Sequence, residues 1–272
     1  MAENPSYGQV DSNYTRRLAT TPSPEDGPVW MLNLMKYRPV AEYADGRQTE
    51  ISGEKADDLY SPFEALAGVG AEVVFFADVE TQLLGDETTW DRVALVRYPT
   101  RRAFIEMQYR PDFKEKHVHK EAGMEKTIVL GLQPIDDPTL GQGSMVAPNW
   151  SDASNPPTEE DPSVVVLHVI RFHDGQADDE MVKYQNGATS VATEQGVHIS
   201  GWFGVEGTVV GDGRPWHQAR FNAFPSKKAF MEVVFDPDRL AAQKEHRETA
   251  IADTYTMILR PRFDHIFASV HG

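Results

Sequence analysis

A histidine, an arginine and an asparagine are the residues with which this chain could do chemistry. His168 lies in the apolar run Val164–Phe172, and Arg220 and Asn222 alternate along Gln218–Phe224. Residues two apart in an extended chain share a face. Gln218, Arg220, Asn222 and Phe224 therefore form one side of a strand, with Ala219, Phe221 and Ala223 on the other. An imidazole on such a face could act as a general base, and a guanidinium with a neighbouring amide could stabilise an enolate-like oxygen. These three are the candidate catalytic residues. The competing reading of His168 is a core histidine bonded to Asn222 or to a backbone carbonyl, which is the commoner fate of a buried imidazole. Arg220 could equally form an internal ion pair with a glutamate.

Six further residues are candidates for substrate binding: Asn33, Tyr37, Gln218, His198, Trp202 and Tyr184. Asn33 and Tyr37 lie on the run Val29–Tyr37, on the face that also carries Met31 and Met35. His198, Ser200 and Trp202 alternate, and share a face unless a bulge reverses it. Tyr60 and Tyr184 each fall on the first helix of a half-chain, where packing is the commoner explanation. His119-Lys120-Glu121 matches His246-Arg247-Glu248 at an offset of 127 and reads as a helix-end feature of a shared fold. There is no His-Glu-x-x-His, no phosphate-binding glycine loop and no Gly-x-Ser-x-Gly. No metal site is expected.

The elements that must position these residues occur twice. Val29–Tyr37 reappears as Val164–Phe172, and positions 70–113 share twelve identities in forty-four with 196–239 at a constant offset of 126. One unit is therefore used twice. In the first copy, strands are expected at 29–37, 72–84, 91–98 and 126–132, with helices at 53–69, 100–110 and 112–122. In the second, strands are expected near 164–172, 197–210, 217–224 and 254–260, with helices near 177–195 and 226–250. The order β-α-β-β-α-β is that of a ferredoxin-like unit. Such a unit carries helices on one sheet face, and the other face must find cover. The expected fold is α+β, with two ferredoxin-like repeats whose sheets close on each other as one pseudo-dimeric barrel. Residues 1–28, polar and proline-rich, read as a flexible arm. Repeat 1 spans 29–135, a Pro/Gly/acid-rich linker 136–162, repeat 2 spans 163–262, and 263–272 is a tail. The set of Gln218, Arg220 and Asn222 is expected to face the closed interior, opposite a mostly apolar wall from the first repeat.

Leu32-Asn33-Leu34-Met35-Lys36-Tyr37, Gly85, Trp90-Asp91, Tyr98-Pro99, Arg102-Ala103-Phe104 and Arg110-Pro111-Asp112 resemble the family called domain of unknown function 1330. The resemblance covers both copies, roughly 29–134 and 164–261, and the second departs from it at His168, where the first has Asn33. The resemblance implies the dimeric α+β barrel superfamily, which includes cofactor-independent monooxygenases, heme-handling enzymes, small-molecule isomerases and ligand-binding regulators. In some of those monooxygenases an asparagine on the first strand holds a substrate oxygen or dioxygen, which would suit Asn33. Fold alone does not choose among these activities.

The net charge of −16 and pI near 4.9 weigh against nucleic acid and anionic membrane surfaces as partners. No apolar run reaches a membrane span of about 18–20 residues. The absence of cysteine excludes disulfides and thiolate chemistry and fits a cytoplasmic protein. The expectation is a small-molecule-binding barrel acting without a cofactor on a small, oxygenated, partly apolar substrate, as a monooxygenase or isomerase would. A heme-binding barrel with His168, His198 or His246 as ligand is the second reading, and a non-catalytic binding or structural protein the third. Self-association into a homo-oligomer stays open.

Overall fold

The structure, a computed structural model, describes residues 5–135, 149–173, 195–242, 244 and 247–271. A strand β1 (Gln9–Val10) and helix α1 (Ser12–Thr20) come first. Repeat 1 follows with β2 (Val29–Tyr37), α2 (Gly53–Tyr60), α3 (Phe63–Ala67), β3 (Glu72–Leu84), β4 (Arg92–Tyr98), α4 (Arg101–Tyr109), α5 (Pro111–Gly123) and β5 (Met124–Pro134). Repeat 2 has β6 (Val164–Phe172), β7 (His198–Gly211), β8 (Gln218–Phe224), α6 (Lys227–Phe235), α7 (Pro237–Ala242), α8 (Glu248–Ala250) and β9 (Ile251–Asp264), and α9 (Ile266–His271) closes the chain. The helix expected near 177–195, with Tyr184, lies outside the described residues, as does His246.

The α+β fold and its two ferredoxin-like repeats follow from the strand pairing. Repeat 1 runs β5-β2-β4-β3 and repeat 2 runs β9-β6-β8-β7, so each sheet has the order fourth, first, third, second. The described registers are antiparallel. Both repeats place a bulge at the same point of the second strand, between Val73 and Phe75 and between Ile199 and Gly201. Pro62 splits the expected 53–69 helix into α2 and α3. The residue before it, Ser61, has a φ of 23°, where a side chain is strained.

The chain forms two compact units, and each takes a strand end from the other repeat. Unit 1 comprises residues up to Asp78, then Thr88–Gln133 and Val205–Pro215. Unit 2 comprises Val79–Glu87, the described residues from Pro134 to Gly204, and Trp216 onward. The far half of β7 thus pairs in unit 1, where Gln9 and Val10 of β1 are its register partners at Gly211 and Val210.

Each transferred strand end carries a glutamate at an equivalent position. In unit 1, Glu206 accepts hydrogen bonds from Nε and Nη2 of Arg101 at the start of α4, and from Tyr14 Oη at 3.2 Å. In unit 2, Glu80 accepts from Lys227 Nζ at 2.6 Å, at the start of α6, and from Arg260. Both glutamates are held below the usual carboxylate range by these cations, against the upward push of burial. The same two helices share a capping device. Thr100 and Ser226 are their N-caps, accepting from the amides of Ala103 and Ala229. Before them, Asp26 takes the amides of Arg101 and Arg102, and Asp161 takes those of Lys227 and Lys228. Four otherwise orphan amides at each helix start are prime anion sites, and a carboxylate there also meets the positive end of the dipole.

Residues 5–28, expected as a flexible arm, instead carry ordered structure. Asp11 caps α1 by accepting from Asn13 and Tyr14 amides. Tyr14 and Leu18, at i and i+4, are its buried residues. The Tyr14 ring lies against Gly207 and its hydroxyl end against Gly131, where a Cβ would collide with it. Tyr7 is buried too, among Met35, Tyr37, Ala94 and Met124. The expected C-terminal tail is also partly α9, anchored by the buried Ile266.

The faces of the sheets are reversed relative to the sequence expectation. In repeat 2, Val166, Phe224 and Ile258 pack against Phe230 and Val233 of α6, so the face they share with His168, Arg220 and Asn222 looks toward the helices. In repeat 1, Met31, Val96 and Val129 likewise pack against Phe104, Met107 and Phe113. On the other faces, Leu32, Leu34, Val93 and Leu95 in unit 1 and Leu167, Val169, Ala219 and Phe221 in unit 2 are apolar and buried. The helix-side face of repeat 2 holds His168, Gln218, Arg220 and Asn222, polar groups that must be satisfied there.

Candidate functional site

The registers of unit 2 place four side chains in one row across four strands. His168 on β6 lies opposite Arg220 on β8 and opposite Thr256 on β9. Arg220 in turn lies opposite Trp202 on β7. Opposed residues point to the same face, so the row reads Thr256, His168, Arg220, Trp202. Unit 1 has Val129, Asn33, Ala94 and Phe76 in the corresponding row. Repeat 2 has therefore exchanged an almost apolar row for a polar one on the same backbone.

Each member of the row is oriented by a neighbour. The Arg220 guanidinium lies 4.2 Å from the Trp202 ring centroid, a cation–π stack. Gln218 Oε1 accepts from Arg220 Nε at 2.8 Å and Nη2 at 2.5 Å. Asn222 Oδ1 accepts from the Trp202 indole at 2.8 Å, which fixes the ring on which Arg220 stacks. His168 Nδ1 is 3.1 Å from Thr256 Oγ1. Donation from Nδ1 to Thr256 would leave Nε2 as the bare nitrogen, and among the described residues Nε2 has no hydrogen-bond partner.

Burial pushes the His168 imidazole far below its ordinary pKa. The positive charges of Arg247, Arg220 and Arg239, in that order, push it further. The ring is thus neutral, in a positive field. Arg247 and Arg220 are both buried. Arg239, on α7, donates to the carbonyl of Val234 at 3.1 Å. His168 is enclosed by protein yet keeps accessible surface.

The structure brings together His168, Arg220, Asn222, Gln218 and Trp202. His198 is separated from them by the bulge at Ile199–Gly201. It lies opposite Ala223, on the other face from Trp202, so the expected alternation of His198, Ser200 and Trp202 fails there. His198 is buried near Phe267 and feels the charge of Asp264, whose carboxylate accepts from Ser200 Oγ at 2.9 Å. Asn33 and Tyr37 belong to unit 1. Asn33 donates to the carbonyl of Met31 at 3.0 Å. Tyr37 donates to Asp57 at 2.6 Å, and its hydroxyl is held far above the ordinary tyrosine pKa by burial and then by that carboxylate. Sequence reasoning missed Thr256, Arg239 and Arg247. Arg247 had a signal in the His-Lys/Arg-Glu group kept by both repeats, which was read as a helix-end feature. Among the described residues no cluster of three His, Asp or Glu could hold a metal ion.

No family model and no curated protein matches the sequence. Solved structures do resemble it. One is an anthrone oxidase-like protein, 14% identical, matched over 87% of this chain and 92% of its own, with a TM-score of 0.51. The fold is of that kind. A protein of unknown function from Rhodopseudomonas palustris is 27% identical over 48% of this chain and 99% of its own, with a TM-score of 0.42. A mutant chlorite dismutase from Candidatus Nitrospira defluvii is 13% identical over 91% and 97% of the two chains, with a TM-score of 0.48. Among the described residues no helix is long and apolar enough to cross a membrane.

Proposed function

We propose that this chain binds a small, oxygenated, partly apolar molecule on the helix side of the second sheet and acts on it without a cofactor. We place it as a tandem member of the family called domain of unknown function 1330, working in the cytoplasm. The observation that carries the reading is His168: an enclosed, neutral imidazole with accessible surface, its Nδ1 against Thr256 and its Nε2 without a hydrogen-bond partner among the described residues.

In this reading Nε2 accepts a proton from carbon next to a carbonyl, and the oxygen that gains charge is met by Arg220. The positive field that lowers the basicity of the free imidazole is cancelled as an oxyanion forms, so the base strengthens as it is needed. Trp202 and Asn222 position the guanidinium. A carbanion so formed could rearrange, as in an isomerase, or meet dioxygen, as in a cofactor-independent monooxygenase.

The test is deuterium exchange at the α-carbon of small ketones and β-keto esters, followed by NMR with oxygen uptake recorded in parallel. The reading expects exchange above the buffer rate with the wild type and its loss in His168→Ala. Equal rates in the two proteins would sink it. Titration with haemin separates the heme alternative, which expects a Soret shift lost in His168→Ala.

A further inference from the structure

Unit 1 carries a different set of enclosed polar groups, on its helices. On α5, Phe113, His117 and Lys120 fall at i, i+4 and i+7 and share one helix face. Tyr60, the last residue of α2, lies against that face. Its ring is 5.9 Å from those of Phe113 and His117, and Lys120 Nζ is 5.5 Å from its centroid. The close approach of α2 and α5 depends on Gly53 and Gly123, since a Cβ on either would run into the other's carbonyl. Lys120 occupies the position that Arg247 holds in repeat 2.

The Lys120 amine is enclosed by protein, yet the residue keeps accessible surface, as His168 does. Among the described residues it makes no hydrogen bond and no ion pair, and its contact is the face of Tyr60. Burial lowers the pKa of the Lys120 amine, and the charge of Asp57 opposes that shift, but Asp57 is already bound by Tyr37 at 2.6 Å and by Arg92 at 3.5 Å. The Tyr60 hydroxyl likewise has no hydrogen-bond partner among the described residues. Burial holds it far above its ordinary pKa, so it stays a donor. His117, pushed down to about 4 by burial, adds no charge at neutral pH. Around these groups the wall is apolar: Phe113, Val96, Met31 and Val129 belong to the cluster against which Tyr60 packs. An enclosed ammonium without a counter-ion is costly, and a hydroxyl donor beside it doubles the demand for an acceptor.

We infer that unit 1 holds a second binding site, for a small carboxylate with an aromatic or aliphatic body. The ammonium of Lys120 and the hydroxyl of Tyr60 hold the carboxylate through charge-assisted hydrogen bonds. The hydrocarbon body lies against Phe113 and the apolar wall. This site is independent of the chemistry proposed for unit 2.

Benzoate and hexanoate are the probes, with the full-length protein and two readouts. Calorimetry measures binding to the wild type, Lys120→Met, Tyr60→Phe and Arg220→Met. Reductive methylation with formaldehyde and borohydride, quantified on the peptide carrying Lys120, reports occupancy at the amine itself and needs no variant. The expected result is protection of Lys120 by carboxylate in both wild type and Arg220→Met. Affinity should fall about tenfold or more in Lys120→Met and less in Tyr60→Phe. If neither carboxylate protects Lys120, or if Lys120→Met binds them as the wild type does, the inference is overturned. Loss of the unit 2 activity with Lys120 still protected would overturn the earlier proposal and leave this one standing.

Discussion

His168 and Arg220 are direct register partners on adjacent antiparallel strands, and the guanidinium charge reaches the imidazole. Arg220→Met removes one of the three arginines that lower the proton affinity of His168. The His168 pKa should rise toward its ordinary value and stay below it, because burial is the larger cause. An NMR titration of the imidazole resonances checks this. An unchanged or lower pKa would mean that the two groups do not sense each other.

The two glutamate clasps differ in burial and should differ in energy. The side chains of Arg101 and Glu206 are 11% and 5% exposed, whereas Lys227 and Glu80 are 39% and 25% exposed. Breaking a buried pair strands a charge and costs about 3–5 kcal/mol, while an exposed pair contributes about 0–1 kcal/mol. Urea denaturation should therefore show Glu206→Gln to be the more damaging change, by roughly 2 kcal/mol or more over Glu80→Gln. The folded-state pKa of Glu206 is depressed. Its contribution is full above the ordinary glutamate pKa and is lost as pH falls through the depressed value. Wild type and Glu206→Gln should converge in stability on acidification.

Asp26 and Asp161 perform the same capping role in the two repeats, each taking two amides at a helix start. Replacing either with alanine should cost about 1–2 kcal/mol, and the two losses should add, since the sites share no partner. Thermal melts of the single and double variants measure both. Asp161 lies in the segment expected as a linker, so a loss there also tests whether that segment is tied to repeat 2.

Arg92, at 1% side-chain exposure, binds Glu54 at 2.5 Å, Asp78 at 3.2 Å, Asp58 at 3.3 Å and Asp57 at 3.5 Å. Arg92→Met leaves Asp57 almost buried without its cation and should destabilise by about 3–5 kcal/mol. Asp57→Asn on that background should recover part of the loss. Equilibrium unfolding of the pair decides whether the cluster is structural, as this arrangement indicates, with no recovery counting against it.

The sequence made much of the architecture legible. Both first strands and the second strand of repeat 1 follow from their apolar runs, whereas the helix expected at 53–69 is split at Pro62. The face assignment did not follow, because Val29–Tyr37 and Val164–Phe172 are apolar on both sides and alternation had no polar face to anchor it. The row containing His168, Arg220 and Trp202 was legible as types of residue. Its completion by Thr256 and Arg247 was not, since β9 and the segment before it are brought there by pairing across about ninety positions of sequence. The transfer of Glu80 and Glu206 to the other repeat's unit left no local trace either. Both sit in strands that read the same whichever unit they join.

The most direct test of the small-molecule site is the imidazole of His168 itself, followed by NMR as acetylacetone or 4-hydroxybenzoate is added to the full chain. An oxyanion beside the ring offsets the arginine charges, so the account predicts shifted His168 resonances and a raised His168 pKa in the wild type, with both effects reduced in Arg220→Met. A His168 titration that neither compound alters would contradict it and leave the polar row of repeat 2 as a packed structural network.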